Sequence, residues 1–250
     1  MAFLYQFFGM ILKAIYNFVG SYGWSIVLFA IFAKIITLPL SIKQTRSMQL
    51  MQMLAPATQV IQKKYANNKE KQNEETMKLY QKYKYSPLSG CLPLLIQFPI
   101  LIGLYGALRE PHKYVFTSTE WEGISQAFLW IKDMSISPVE LFKQGGMNTE
   151  FLLSLIIPVI SVVLTIIQQK KTNESSAGQP AGQGRSMSIF MTIFIAYIGF
   201  TFNQGIAIYW TLQTALGLIQ NEITMRYFPL KVEPPKIVKK KVVTNDKGAK

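Results

Sequence analysis

A lysine inside an apolar segment is the residue of this 250-residue chain best placed to do chemistry. Lys34 stands eleven residues into the segment 24–42, WSIVLFAIFAKIITLPLSI. A lysine near the centre of a bilayer costs roughly 2.5–3.5 kcal/mol on insertion scales, and its stem reaches only about one helical turn towards water. Such a charge persists only with a partner or with water, so Lys34 marks a candidate functional site.

The sequence offers Lys34 no acidic partner inside the membrane, because the apolar segments contain no Asp or Glu. We therefore predict a water-filled cavity around Lys34, where the low surrounding dielectric would strengthen attraction to acidic side chains of an incoming polypeptide. The alternative is a lysine that only hydrogen-bonds to neighbouring polar side chains and has no function. The polar residues expected to line the cavity are Gln97, Gln168, Thr211, Gln213 and Thr214.

Other kinds of chemistry have little to build on. Cys91 is the single cysteine and His112 the single histidine, so neither a disulfide framework, nor a zinc site, nor a nucleophile triad is indicated. We predict a protein that is not an enzyme and that holds no cofactor or metal.

Five apolar segments would have to position Lys34. Half of the residues are apolar and 16% are charged, against about a quarter charged in soluble domains. We predict an all-α polytopic membrane protein with five transmembrane helices in a core at 23–221, and with the tight turn Asn203-Gln204-Gly205 before the last helix. The five segments are 24–42, 88–108, 151–167, 187–202 and 205–221.

The N-terminal region 1–22 carries a different pattern. Its apolar residues, such as Leu4, Phe8 and Ile15, follow helical spacing, and Gln6 and Lys13 belong to a narrow polar stripe. This pattern predicts an amphipathic helix lying in the membrane interface. A cleaved signal peptide or a spanning segment is the weaker alternative, because no basic N-terminal region and no small-residue cleavage site are present.

Basic residues predict the orientation of the chain. The segment 43–86 has nine basic and three acidic residues, 168–186 has three and one, and 222–250 has eight and three, whereas 109–150 has four and six. Because basic loops stay in the cytoplasm, we predict that only 109–150 and the N-terminus lie outside, and that the C-terminus is cytoplasmic.

The cytoplasmic segment 43–86 is long for a loop and has helical spacing on both sides of a polar tip, which predicts a helical hairpin with a turn at about 66–73. Its methionines Met48, Met51 and Met53 are flexible enough to contact varied substrates or partners, although they could equally well only pack the hairpin.

The net charge of +13 would suggest nucleic acid in a soluble protein, but here the excess is cytoplasmic. It favours attraction to anionic lipids, and no specific DNA partner. The basic tail 222–250, with Lys239, Lys240 and Lys241, also suits the RNA surface of a ribosome and is expected to be disordered when free.

Four stretches together resemble the YidC family of membrane protein insertases over nearly the whole chain. They are GSYGWSIVLFAIFAKIITLPLSIKQTRSMQLMQ, then IQKKY with ETMKLYQKYKYSPLSGCLPLLIQFPI, then FLWIKDMS with a later QQK, and GIAIYWTLQTALGLIQ. The resemblance implies a groove open to cytoplasm and lipid but closed outside, with one cation five residues before the first-span proline. Here that position is Lys34 before Pro39, where the family usually has Arg. Gln97, Gln168 and Trp210 resemble the family's groove-lining positions.

The resemblance also implies the function. It suggests an insertase of the bacterial cell membrane that moves short acidic or polar tails of nascent membrane proteins across, alone or with the Sec translocon, with the ribosome and the signal recognition particle pathway as further partners. Ser86-Pro87-Leu88 replaces the family's Asn-Pro-Leu, and Gln204 replaces a usual proline. The chain shows no large extracytoplasmic domain, as in the short form of Gram-positive bacteria.

Three other functions compete with this one. A membrane-bound enzyme would require a His, Asp or Ser constellation near the interface, and one histidine in the outer loop does not supply it. A channel or secondary transporter would explain an intramembrane lysine, but it predicts intramembrane acids or inverted repeats, and the sequence shows neither. A structural subunit of a larger translocon is also compatible with the sequence.

Overall fold

The computed structural model describes residues 1–86, 92–173, 183–228 and 232–235. Within these ranges the chain is helical, with no strand beyond an isolated bridge between Phe128 and Ile131, so the predicted all-α class is confirmed for them. The helices are α1 (Ala2–Val19), α2 (Tyr22–Lys64), α3 (Lys69–Lys82), α4 (Leu92–Arg109), α5 (Pro111–Tyr114), α6 (Ser118–Glu122), α7 (Pro138–Gly145), α8 (Thr149–Ser154), α9 (Ile156–Asn173), α10 (Gln183–Thr201) and α11 (Gln204–Tyr227).

Several helices are apolar enough to enter a membrane. Among the described residues, three stretches have both the length and the composition to cross one, namely Ala2–Val19, Tyr22–Lys64 and Thr149–Lys171, and Ser188–Thr201 is a shorter apolar helix. α11 does not join them, because Gln, Thr and Asn side chains recur along its 24 residues. These helices fit a membrane protein.

α2 continues well beyond its apolar segment. It runs from Tyr22 to Lys64 without a break, although the sequence places a boundary at 42–43 and although Pro39 and Pro56 lie inside it. At about 1.5 Å per residue its 43 residues extend about 65 Å, roughly twice a hydrocarbon core of about 30 Å. The change in hydropathy at 42–43 therefore does not coincide with a helix end.

α3 packs against the last turns of α2. The side chain of Asn68 caps α3 by accepting a 3.0 Å hydrogen bond from the backbone N–H of Lys71, and Gln72 Nε2 donates to the carbonyl of Gln62 at 3.2 Å. Because Asn68 starts the new helix, the turn covers 65–68 and ends earlier than the predicted 66–73.

α11 lies at the centre of the bundle. It contacts α2, α4, α9 and α10, whereas α4 meets α2 at only a few positions. α1 connects α2 to α4 by packing against both helices. Two glycines of α4 allow the close approach, because a Cβ on Gly103 would lie 2.1 Å from the Phe8 ring and one on Gly106 would lie 2.3 Å from the Tyr5 ring.

The segment 110–155 covers one end of the bundle, here termed the capped end. Gln204 Nε2 donates to the carbonyl of Ser154 at 3.0 Å, and the N–H groups of Gln204 and Gly205 donate to the carbonyls of Ile136 and Met134. A proline at 204, usual in the resembling family, would lack the first of these backbone donors. The start of α11 is therefore tied directly to the covering segment.

The two ends of the bundle bury different sets of residues. The apolar core lies towards the capped end and includes Ile26, Phe29, Leu104 and Tyr209, each at most 1% exposed. The opposite end of α2 and α11 buries Thr45, Gln220 and Thr224. The large buried apolar side chains therefore concentrate towards the capped end, where small polar groups such as Ser25 and the amide of Gln204 are buried as well.

An ion pair holds α1 to the covering segment. Lys13 Nζ lies 2.9 Å from Glu120 Oε2, and Glu120 also accepts a hydrogen bond from the backbone N–H of Thr117 in the capping box of α6. These two contacts, the Thr117 bond first, lower the pKa of the Glu120 carboxyl to about 2.

The lowered pKa predicts a pH-dependent contribution to stability. A carboxyl with a folded pKa below its unfolded value of about 4.3 stabilises the fold above that pH, and the contribution is lost as the pH falls towards about 2. We expect Glu120→Gln to lower the melting temperature at pH 7 and to match the wild type near pH 2. Glu122→Gln is the control, since Glu122 has no ion pair with a described residue, and it should leave the pH 7 melting temperature unchanged. A Glu120→Gln deficit that stays constant from pH 7 to pH 2 would contradict this role.

Candidate functional site

Lys34 meets α9 and α11 at one glycine. Its Nζ lies 3.6 Å from the position of a Cβ built on Gly217 of α11, and Gln168 Nε2 of α9 lies 3.8 Å from the same point. Lys34 is partly buried and lies about 18 Å along α2 from Tyr22. Three helices therefore direct two nitrogen donors, one of them charged, towards a space that holds no side chain.

No described acid neutralises Lys34. The ion pairs among the described residues do not include it, and the acids nearest to it along the bundle belong to charged ends such as Glu222. Glu222 pairs instead with Lys171 at 2.7 Å. Within the described part of the chain, Lys34 thus forms no ion pair.

Two predicted lining residues meet at a buried tyrosine. Gln97 Nε2 of α4 donates to Tyr209 Oη at 3.0 Å, and Gln213 Nε2 donates to the carbonyl of Ala30 at 2.8 Å. Tyr209, Gln213 and Gly217 follow each other at intervals of four residues, so they share one face of α11. Gln97 and Gln213 are therefore fixed by the protein on the capped side of Lys34.

Trp210 has a different environment. It is partly buried and packs against the apolar core, one position away from the polar face of α11. Of the five predicted groove residues, the structure brings Lys34 and Gln168 together, joins Gln97 and Gln213 through the Tyr209 region, and places Trp210 at the edge of the core.

A pocket continues from this site towards the end of the bundle opposite the cap. It encloses about 350 Å³, part of it open to solvent. Gln168 belongs both to this pocket and to the space over Gly217, so the two are adjacent. We call it the mouth pocket, and its lining residues are Thr45, Met48, Gln49, Gln52, Gln168, Lys171, Leu218, Asn221 and Met225.

The mouth pocket is rich in amide groups. Thr45 Oγ1 donates to Asn221 Oδ1 at 2.6 Å, and Gln49 Oε1 is buried without a hydrogen-bond partner among the described residues. A buried acceptor without a partner is costly and uncommon. This oxygen can therefore accept a hydrogen bond from a polar group that enters the pocket.

Sequence reasoning missed most of this pocket. Gly217, Gln49 and Asn221 are absent from the predicted lining because glycine carries no polar signal and because Gln49 and Asn221 lie beyond the apolar segments. The four-residue interval that relates Gly217 to Gln213 was the signal available in the sequence.

The other predicted contacts lie apart from this site. Met48 lines the mouth pocket, whereas Met51 and Met53 are partly buried further along α2. Lys239, Lys240 and Lys241 lie outside the described residues. No group of three His, Cys, Asp or Glu side chains in the described ranges is arranged to hold a metal ion.

A family comparison decides the affiliation of the chain. Residues 14–231 match the family described as 60Kd inner membrane protein, which is most of the sequence. The chain belongs to the 60Kd inner membrane protein family. The resemblance seen in the sequence motifs is thereby confirmed, and membership together with the apolar helices supports a protein of the cell membrane.

Similar members of the 60Kd inner membrane protein family carry the name membrane protein insertase YidC. The protein of Clostridium perfringens is 35% identical over 224 residues, covering 85% of this chain and 86% of its own length. That of Fusobacterium nucleatum is 32% identical over 226 residues, covering 89% and 95%. The longer protein of Leptospira interrogans is 36% identical over 222 residues, and these cover 86% of this chain but 32% of that protein.

Proposed function

We propose that this chain is a membrane protein insertase. It moves the short polar tail of a nascent membrane protein, its client, through a hydrophilic groove open to cytoplasm and lipid, and it releases the client's transmembrane segment into the bilayer. The observation that carries the proposal is the convergence of Lys34 and Gln168 over Gly217, in a family whose similar members are named insertases.

The proposed architecture assigns five spans to the described helices. They are the first part of α2, then α4, the continuous stretch of α8 and α9, then α10 and α11, with α1 in the outer interface. The rest of α2 and α3 form a cytoplasmic hairpin, the capped end faces outside and the C-terminus is cytoplasmic. The charges support this orientation, because 43–86 is basic and 109–150 is slightly acidic.

The apolar core at the capped end and the polar mouth pocket at the opposite end give this architecture a mechanism. Polar burial from the mouth pocket to Lys34 lets water and polar groups enter partway, and the apolar core closes the capped end. A tail that has reached Lys34 has at most about 18 Å of apolar bundle left to cross, against about 30 Å of hydrocarbon in an unmodified bilayer. The shorter path lowers the barrier for a polar tail, while the apolar segment leaves sideways into lipid.

The remaining predicted residues also have roles in this proposal. Lys34 attracts an acidic tail, and Gln97, Gln168, Trp210 and Gln213 line its path. The methionines Met48, Met51 and Met53 offer adaptable contacts to clients or partners. The basic tail with Lys239, Lys240 and Lys241 would meet ribosomal RNA, and anionic lipids, the Sec translocon and the signal recognition particle pathway complete the proposed partners.

Reconstitution tests the proposal. The purified full-length protein is placed in liposomes without other proteins, and a single-span client is synthesised beside them, with either a short acidic tail or the same tail lengthened several-fold. We expect the short tail to become protected from added protease at several times the level in empty liposomes, and the long tail to gain little. Equal protection with and without the protein would refute the insertase function.

A further inference from the structure

A tight turn in the covering segment exposes two large apolar side chains. The backbones of Phe128 and Ile131 exchange hydrogen bonds of 2.9 Å in both directions, which leaves Leu129 and Trp130 at the tip of the turn. Leu129 is 68% exposed, and Trp130 is exposed as well. The turn is firmly placed, because Phe128 and Ile131 both belong to the apolar core.

The backbone of Leu129 is strained. Its φ is 55°, and within the described part of the chain Lys84 is the one other non-glycine residue with a positive φ. Glycine or asparagine is the usual choice at such a position in a tight turn, because a Cβ there comes too close to the following carbonyl oxygen. The chain therefore keeps leucine where both its backbone conformation and its exposure to water disfavour it, which points to a contact made by the side chain.

The neighbours of the turn place it level with the ends of two apolar helices. The Phe128 ring packs edge-to-face against Trp24, with ring centroids 5.5 Å apart, and Trp24 begins the apolar part of α2. Trp130 Nε1 donates a 3.2 Å hydrogen bond to the carbonyl of Leu153, near the start of the apolar stretch Thr149–Lys171. Both stretches are long and apolar enough to cross a membrane. The turn therefore lies at the depth where the chain enters the bilayer.

The exposed apolar surface continues from the turn along α2. Its residues recur at intervals of three or four and share one helix face, namely Trp24, Leu28, Ile31 and Ile35. A stripe of this kind on a helix long enough to span a bilayer is covered by lipid. Because the turn adjoins the end of this stripe, the same lipid is the occupant that fits Leu129 and Trp130.

Charged groups limit how far the turn can enter the membrane. Lys132 follows the turn directly and pairs with Glu150 at the start of α8, and both side chains are exposed. Tryptophan, with an apolar ring and a polar N–H, favours the level of the lipid headgroups. A shallow contact of about 5–10 Å, as apolar groups at the membrane interface make, satisfies the apolar tip and the ion pair together.

We propose that Leu129 and Trp130 form a lipid anchor, whose side chains lie at the boundary between headgroups and acyl chains in the leaflet at the capped end. The anchor holds the covering segment against the bilayer and offsets the strain of the Leu129 backbone. This inference goes beyond the insertase function and does not depend on it.

Spin labelling in proteoliposomes tests the anchor. Cys91 is the single cysteine, so Cys91→Ser provides a background in which Leu129→Cys carries one nitroxide. We expect this label to be several-fold more accessible to oxygen, which concentrates in lipid, than to a nickel chelate, which stays in water. Ser125→Cys is the matched control, since Ser125 is an exposed polar residue four positions earlier, and its label should show the reverse order.

The other outcomes overturn the anchor. A label at 129 that is as accessible to the nickel chelate as the label at 125 would place the tip in water. A label at 129 that neither reagent reaches would show that protein covers the tip, such as a second copy of the chain. If the Cys91→Ser background fails to fold, a measurement without cysteine variants decides.

Tryptophan fluorescence supplies that measurement. Lipids brominated on the acyl chain near the headgroup quench the tryptophans that they contact, and the difference between the wild type and Trp130→Phe isolates the signal of Trp130. We expect this signal to be quenched in brominated liposomes. Leu129→Asp should weaken the quenching several-fold, because its charge favours water, and Ser125→Asp should leave it unchanged. A Trp130 signal that is equal in brominated and ordinary liposomes, or quenching that Leu129→Asp does not alter, would contradict the anchor.

Discussion

Lys34→Glu is expected to abolish insertion of single-span clients with acidic N-terminal tails, whereas Lys34→Arg is expected to retain it. At an effective dielectric constant of about 20, opposite unit charges 4 Å apart attract by about 4 kcal/mol, and reversal turns this attraction into repulsion. The described residues offer no second cation at the space over Gly217 to compensate. Arginine keeps the charge but adds a planar fork, so its activity shows that charge is sufficient.

The measurement is protease protection of the client tail in liposomes that contain equal amounts of each variant. Lys34→Gln should fall between the wild type and Lys34→Glu, and a client with a neutral tail should distinguish the variants little. Lys143→Glu is the matched control, because it makes the same change in net charge at an exposed residue of α7. Full activity of Lys34→Glu on the acidic client would refute the role of the charge.

The sequence could single out polar candidates for the site because polar side chains in apolar spans are costly. That cost singled out Lys34, Gln97, Gln168 and Gln213 on four different helices before their proximity was known. The structure then divides them, with Lys34 near Gln168 and with Gln97 and Gln213 fixed in the Tyr209 region. Which polar residues face each other depends on helix rotation, and hydropathy does not report it.

Gly217 illustrates what the sequence hides. A glycine in an apolar span usually indicates close helix packing, as Gly103 and Gly106 do against α1. Only the neighbours of Gly217 show that a Cβ there would make ordinary van der Waals contacts with two polar side chains in place of a clash. The meaning of a missing side chain is set by the atoms opposite it, and these belong to α2 and α9.

The boundaries of the helices show a similar division. The amphipathic pattern predicted a helix in the region 1–22, and α1 covers Ala2–Val19. The pattern indicated an apolar face but did not show that α4 would cover part of it. Likewise, hydropathy ended the first span at 42 although α2 continues to Lys64, because helix propensity persists where hydrophobicity stops.

Gly9→Ala is expected to destabilise the protein, although glycine to alanine inside a helix normally stabilises it by about 1 kcal/mol. A Cβ on Gly9 would lie 2.1 Å from the backbone oxygen of Tyr114. A backbone atom cannot move aside as a flexible side chain can, so α1 must shift away from α4 and α5. Overpacking of this kind costs about 1–3 kcal/mol, which reverses the expected sign.

Thermal unfolding in detergent micelles measures the effect, and the sign of the change is decisive. Gly123→Ala is the matched control, because its Cβ would meet its nearest atom at 3.6 Å and its backbone is right-handed. We expect a clear fall in melting temperature for Gly9→Ala and none for Gly123→Ala. Because α1 links α4 to α2, the loosened helix should also weaken the Gln97–Tyr209 contact, and insertion of the acidic and neutral clients should then fall together. A higher melting temperature in Gly9→Ala would mean that helix propensity outweighs packing, and would contradict the close contact of α1 with Tyr114.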